Sequence, residues 1–263
     1  MPQERVVVCM KWGTLFPADY VNVLFRAVSR HLAPGFRFLC LTDQTTGLID
    51  GIETAPIPDI GLTPTQIRAP GVWRKLSLFH PAVAALAPGA RVLVIDLDMM
   101  ILGSLDPFFA AQGGMILLDT GHDWRAHEPV QPSTGVFAFT LGEQQQILAA
   151  FQADPAGAMA RFRNEQDFVA AHAMDMSLWP TGAVLSFKRH CVHRFGRDLI
   201  WPPRPPAPGL GILAFHGDPR PADLLRRGLW GRFPHLGRGP VGWVRDYWTG
   251  HGGRLPIARE TEG

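Results

Sequence analysis

The sequence predicts an α/β fold, with one mostly parallel central sheet flanked by helices in a single domain. Three observations predict it. Short apolar runs of strand length alternate with stretches of helical spacing. The first strand–helix–strand set fits into about 40 residues, the size of a βαβ unit with its right-handed crossover. The 263 residues are 46% hydrophobic and 18% charged, enough apolar material for one core, and no linker stands out.

The elements follow in order. Residues 5–10 contain the β-branched run VVVC and read as a buried strand. Pro17 opens a helical pattern to residue 31, with Val21, Leu24, Phe25 and Val28 on one face. Residues 36–41 read as the second strand. Residues 45–70 carry four prolines and read as an irregular surface stretch. Helical spacing resumes over 73–86 and stops at Pro88-Gly89. Residues 91–95 (RVLVI) form the cleanest strand and run directly into Asp96-Leu97-Asp98. Residues 115–118 and 135–139 read as strands, and 141–151 and 164–172 as helices. Residues 202–208 (PPRPPAP) read as a stiff polyproline-like loop, and 210–215 as a late strand ending at His216. The expected division is a catalytic or binding domain over 1–221 and a wrapping segment or tail over 222–263.

Composition excludes several classes. With 25 basic and 23 acidic residues, the net charge of +2 does not announce a nucleic-acid binder. No apolar run reaches the roughly 20 residues of a membrane span, and the N-terminus shows no basic-then-apolar signal pattern. Cys9, Cys40 and Cys191 are scattered and odd in number, which fits a reducing compartment and no disulfide framework. A cytoplasmic protein is expected, free or at the inner face of the membrane. There is no G-x-x-x-x-G-K-[ST] loop, no G-x-G-x-x-G after the first strand and no G-x-S-x-G elbow. Basic residues are nearly all arginine, as in a GC-rich genome, so the three lysines (Lys11, Lys75 and Lys188) carry more information.

Asp96 and Asp98 are the strongest chemical feature. Residues i and i+2 of a strand project to the same side, and ligands of open α/β sheets gather at the carboxyl edge of the strands. Two carboxylates emerging there repel, and a divalent cation relieves the repulsion. A pair solvated on a loop, or capping a turn, is the other reading. His216 ends an apolar strand before Gly217, with Arg220 four residues on. A neutral imidazole could complete an Asp/Asp/His site, and its nitrogen favours Mn²⁺ over Mg²⁺; a partly buried histidine bonded to backbone is the alternative. Arg220 could sit over a diphosphate. Lys11 and Lys75 stand at element ends near the same sheet edge and could pair with phosphate oxygens, and Trp12 or Tyr20 could stack on a nucleobase. Taken alone, each reads first as a solvated lysine or a packed aromatic.

The order of these features over residues 5–221 resembles the GT-A nucleotide-sugar glycosyltransferases, most closely glycosyltransferase family eight, the glycogenin and bacterial galactosyltransferase group. The D-x-D with Met99-Met100-Ile101-Leu102 and Ser104-Leu105-Asp106-Pro107-Phe108-Phe109 behind it carries most of the likeness. The resemblance implies a GT-A fold and metal-dependent transfer of a sugar from a nucleotide-diphosphate donor, chiefly a UDP-sugar, to a saccharide, lipid-linked or protein acceptor. It implies Mn²⁺, or Mg²⁺, on Asp96, Asp98 and His216, with Asp98 also near the donor's ribose or phosphates and Asp96 among the donor-binding residues. Arg220-Pro221 stands at the family's Lys-Pro and implies a diphosphate contact. Lys75 matches the cation before leucine on the helix preceding the D-x-D strand. Ser133-Thr134-Gly135-Val136 stands at Asn-Ser-Gly-Val, and Glu165-Gln166 at the Asp-Gln beside the reacting sugar carbon, implying catalytic roles for Glu165 and Gln166. Asn, Asp and Lys of the family are thus Ser133, Glu165 and Arg220 here. Two other readings remain open: a non-catalytic GT-A-like domain binding a nucleotide sugar or glycan, and a sugar nucleotidyltransferase, although Met10-Lys11-Trp12-Gly13-Thr14 holds one glycine where the latter usually carries a Gly-rich loop.

Overall fold

The computed structural model describes residues 3–207, 209 and 211–255. Its centre is a seven-stranded sheet in the order β3-β2-β1-β4-β7-β6-β8. The strands are β1 (Arg5–Lys11), β2 (Phe36–Thr42), β3 (Glu53–Ala55), β4 (Arg91–Ile95), β6 (Met115–Asp119), β7 (Pro132–Thr140) and β8 (Met176–Leu178). A second sheet joins β5 (Met99–Ile101), β10 (Ile212–Ala214) and β9 (Val184–Ser186), and β11 (Gly228–Arg232) with β12 (His235–Gly239) forms a hairpin.

The βαβ unit stands as read: β1 pairs in parallel with β2 on one side and β4 on the other, and the helix Ala18–His31 covers the crossover. β7 enters antiparallel to both β4 and β6, which makes the sheet mixed. Alternation along the central strands sends Val7, Cys9, Leu93 and Ile95 into one apolar layer and Val6, Val8, Val92 and Val94 into the other. Both faces are covered, so these strands read as continuous apolar runs. None of the described helices is long and apolar enough to cross a membrane.

Some elements differ from expectation. The helix expected over 73–86 is a 3₁₀ helix, Trp73–Phe79, followed by a separate short helix, Pro81–Ala84. Pro81 pushes the preceding His80 into extended backbone (ψ 140°) and breaks the run. The strand expected from residue 210 is Ile212–Ala214; Leu210 and Pro208 lie outside the described residues, as do 256–263 of the expected tail. From 222 to 255 the chain packs on the same core. The helix Gly242–Gly250 buries Val244 and Trp248, and Tyr247 Oη accepts from Ile101 N at 3.0 Å.

Candidate active site

β4 ends at Ile95, and its carboxyl end delivers Asp96 and Asp98 with Leu97 buried between them, facing the core. The backbone holds this turn at two points. Asp96 N donates to Gly135 O at 3.0 Å, and Phe215 N donates to Asp98 O at 3.0 Å. The second bond brings the end of β10, and so His216, to the carboxylates.

Two cavities meet there. The first, about 360 Å³, is lined by Asp96, Asp98, Gln131, Ser133, Gln166, Trp124 and His216 among others. The second, about 270 Å³, is lined by the apolar Trp12, Leu15 and Phe16 and by the cations Lys75 and Arg220 among others. Asp96, Asp98 and Gly217 line both.

The electrostatics are those of crowded carboxylates. Burial raises Asp96, and the Lys75 ammonium opposes that shift. Burial, together with the charge of Asp96, pushes Asp98 up to about 7. Lys75 Nζ donates to Asp96 Oδ1 and to Thr134 O. Lys75 therefore lines the second cavity with its ammonium already engaged by protein, where a free phosphate contact was expected. His216 is pulled down to about 4, first by burial and then by Lys188, Arg189, Arg125 and His235, so it is a neutral imidazole. Its Nε2 lies 2.7 Å from Ser186 Oγ, and its ring stacks on Trp124 at 4.9 Å.

A divalent cation fits this donor set by its chemistry: two carboxylates at odds with each other and an imidazole held neutral. The side chains are not gathered round one point. Among the described residues no three His, Cys, Asp or Glu groups form a cluster that could hold a metal.

Gln166 lines the first cavity, and its Oε1 accepts from Ser133 Oγ and from Thr134 N. Glu165 is buried behind it. Its Oε1 accepts from Thr134 Oγ1 at 2.5 Å, while Oε2 finds no hydrogen-bond partner among the described residues. Burial pushes its carboxyl up to about 7. Arg220 lines the second cavity with its guanidinium 5.4 Å from the centroid of Phe16, a cation–π contact.

Tyr20 and Lys11 line neither cavity. Tyr20 is a correction: it is buried between Phe16 and Trp248, and its hydroxyl accepts from Ala222 N, so its ring is closed to a base. Lys11 is also buried, with Nζ on Gly13 O and Gln44 Oε1, so its charge serves the loop after β1. The sequence assigned no site role to Trp124, Arg125, Ser186 or Lys188. Lys188 Nζ donates to His216 O at 2.5 Å and so holds the turn that carries the imidazole. Its standing as one of three lysines was the signal that could have found it.

No family model and no curated protein matches the chain. Solved structures do. An active-site glutamine-to-glutamate mutant of LgtC superposes with a TM-score of 0.58 at 14% identity, over 97% of this chain and 98% of that one. The galactosyltransferase LgtC in complex with donor and acceptor sugar analogues gives 0.57 at 12%, with the same coverage. The glycosyltransferase GlyE of Streptococcus pneumoniae TIGR4 gives 0.56 at 13%, over 94% of this chain and 60% of that one. At such identities the likeness is one of fold, and the chain has the GT-A fold, resembling the glycosyltransferases of family eight.

Proposed function

We propose that the protein is a metal-dependent glycosyltransferase that takes a sugar from a nucleotide-diphosphate donor, a UDP-sugar first of all. The observation that carries this reading is the pair of cavities sharing Asp96 and Asp98. The second cavity, lined by Trp12, Leu15 and Phe16 together with Arg220, suits a nucleoside with phosphates beside the guanidinium. The first offers the hydroxyl, amide and aromatic groups of Ser133, Gln131, Gln166 and Trp124, which suit a sugar. The carboxylate pair stands between them, where a diphosphate joins the two parts of such a donor.

Asp96 and Asp98, with His216 once its imidazole leaves Ser186, are the residues to hold Mn²⁺ or Mg²⁺. When bound, the ion supplies positive charge for the departing diphosphate. Arg220 adds charge from the protein side. Gln166 is placed to hydrogen-bond the sugar with the NH₂ that its contacts to Ser133 and Thr134 leave open. Glu165 supports that wall through Thr134.

A non-catalytic nucleotide-sugar binder is the second reading, favoured by the Lys75 ammonium that already neutralises Asp96. One assay separates them: release of UDP from a panel of UDP-sugars without acceptor, with and without Mn²⁺. Metal-dependent release that Gln166→Ala lowers at least about tenfold, a barrier rise of about 1.4 kcal/mol, supports transfer chemistry. Tight UDP-sugar binding with no release supports the binder.

A further inference from the structure

The four most exposed large apolar side chains among the described residues all lie on two neighbouring segments. They are Phe195 (84%), Phe233 (80%), Ile200 (77%) and Leu229 (69%), with Leu199 and Trp201 exposed beside them. The first segment, hereafter the loop 194–201, is the kinked 3₁₀ helix Arg194–Leu199 with the two residues after it, and the second is the β11–β12 hairpin. Gly237 of β12 sits against the loop so closely that a Cβ there would come 2.6 Å from Asp198 Cβ.

Both segments are anchored. Asp198 is buried and accepts from His193 N at 2.8 Å, with His193 Nδ1 2.9 Å from its other oxygen. Trp230 is buried under the hairpin, edge-on to Phe187. Phe195 itself is held at φ 61°, ψ 38°, a left-handed conformation uncommon for a bulky residue. The fold thus fixes these apolar tips in water.

Charge says what meets them. Residues 187–240 hold ten basic and three acidic residues, in a chain whose net charge is only +2. On the two segments themselves Arg194, Arg197, Arg232 and Arg238 are all exposed, and the one acid, Asp198, is buried. Apolar and aromatic tips interleaved with arginines suit a lipid–water boundary, where rings enter the acyl edge and guanidinium groups stay with phosphates. A second copy of this chain would set one arginine-bearing face against another, and like charges across an interface repel.

We propose that the loop 194–201 and the hairpin Gly228–Gly239 dock on the surface of an anionic lipid bilayer. The hairpin lies against the turn that follows His216: a Cβ on Gly231 would lie 3.4 Å from Pro219 Cδ. The proposal stands apart from the donor and metal assignments.

The test is co-sedimentation of the full chain with vesicles of phosphatidylcholine alone or mixed with phosphatidylglycerol. The protein is expected to sediment with the anionic vesicles only, and less so as salt is raised. The double variants Phe195→Ser/Phe233→Ser and Arg197→Glu/Arg232→Glu are each expected to lower the partition coefficient at least about tenfold at unchanged Tm, because each removes one of the two contributions. Absence of wild-type binding to anionic vesicles overturns the proposal, as does binding by both variants at the wild-type level. A wild-type dimer that the phenylalanine variants dissociate, with vesicle binding unmoved, also overturns it and makes the face a contact between copies.

Discussion

Lys75 Nζ lies 2.5 Å from Asp96 Oδ1 and 2.7 Å from Thr134 O, so one ammonium ties the 3₁₀ helix Trp73–Phe79 to the carboxylate edge of β4 and to β7. The lysine side chain is 6% exposed and the aspartate 40%, through its opening to the cavities. Removing one partner of a buried pair costs about 3–5 kcal/mol, and solvent at Asp96 reduces this to roughly 2 kcal/mol. Lys75→Met is expected to lose that much in urea unfolding. The double variant Lys75→Met/Asp96→Asn should lose less than the sum of the two single changes. Strict additivity would show that the contact contributes nothing.

Asp98 tests the ion. With its carboxyl raised from 3.8 to about 7, its stabilising contribution is complete below about pH 3.8 and lost as the pH rises through 7. Without metal, Asp98→Asn is therefore expected to be at least as stable as the parent at pH 8. With Mn²⁺ and UDP together the parent Tm should rise, because both bind only the folded state. Asp98→Asn should lose that joint rise. A variant that keeps it removes Asp98 from the ion site.

Glu165 makes the same sign argument away from the cavities. Its folded value of about 7 stands above the ordinary 4.5, so the native state holds a proton that the unfolded state releases between those values. Stability from this group is full below pH 4.5 and falls away through pH 7, by up to about 3 kcal/mol. Glu165→Gln carries no such titration. Its stability relative to the parent should rise between pH 5 and 8 in paired denaturation curves, and a constant difference across that window would refute the buried-acid account.

Arg220 is predicted to report phosphate binding. Arg220→Ala should weaken UDP by roughly 1.5–3 kcal/mol in calorimetry, the range of a charge-assisted hydrogen bond. Arg220→Lys should recover part of it, short of the parent because a lysine stacks less well on Phe16 than a planar guanidinium does. UDP affinity unchanged in the alanine variant would place the diphosphate elsewhere.

The sheet centre was legible because its signal is local. β1, β2 and β4 are buried on both faces and read as unbroken apolar runs, and Asp96-Leu97-Asp98 announces itself by ending one of them. β5, β8 and β9 have three residues each, too few to show a period, and the hairpin Gly228–Gly239 is glycine- and arginine-rich with no alternating apolar face. Which distant side chains meet was not legible at all. Lys75 meets Asp96 across 21 positions and Lys188 meets His216 across 28, and Tyr20 is shut away from the cavity by Trp248 and Ala222, more than 200 residues on. The sequence by itself determined where the strand ends and which carboxylates stand there, because an unbroken apolar run and the point where it stops are local features of the chain. Only the tertiary structure decided that β10 crosses back to hydrogen-bond Asp98 and set His216 on the same cavity, because that contact is specified by sheet pairing and packing among segments distant in the chain.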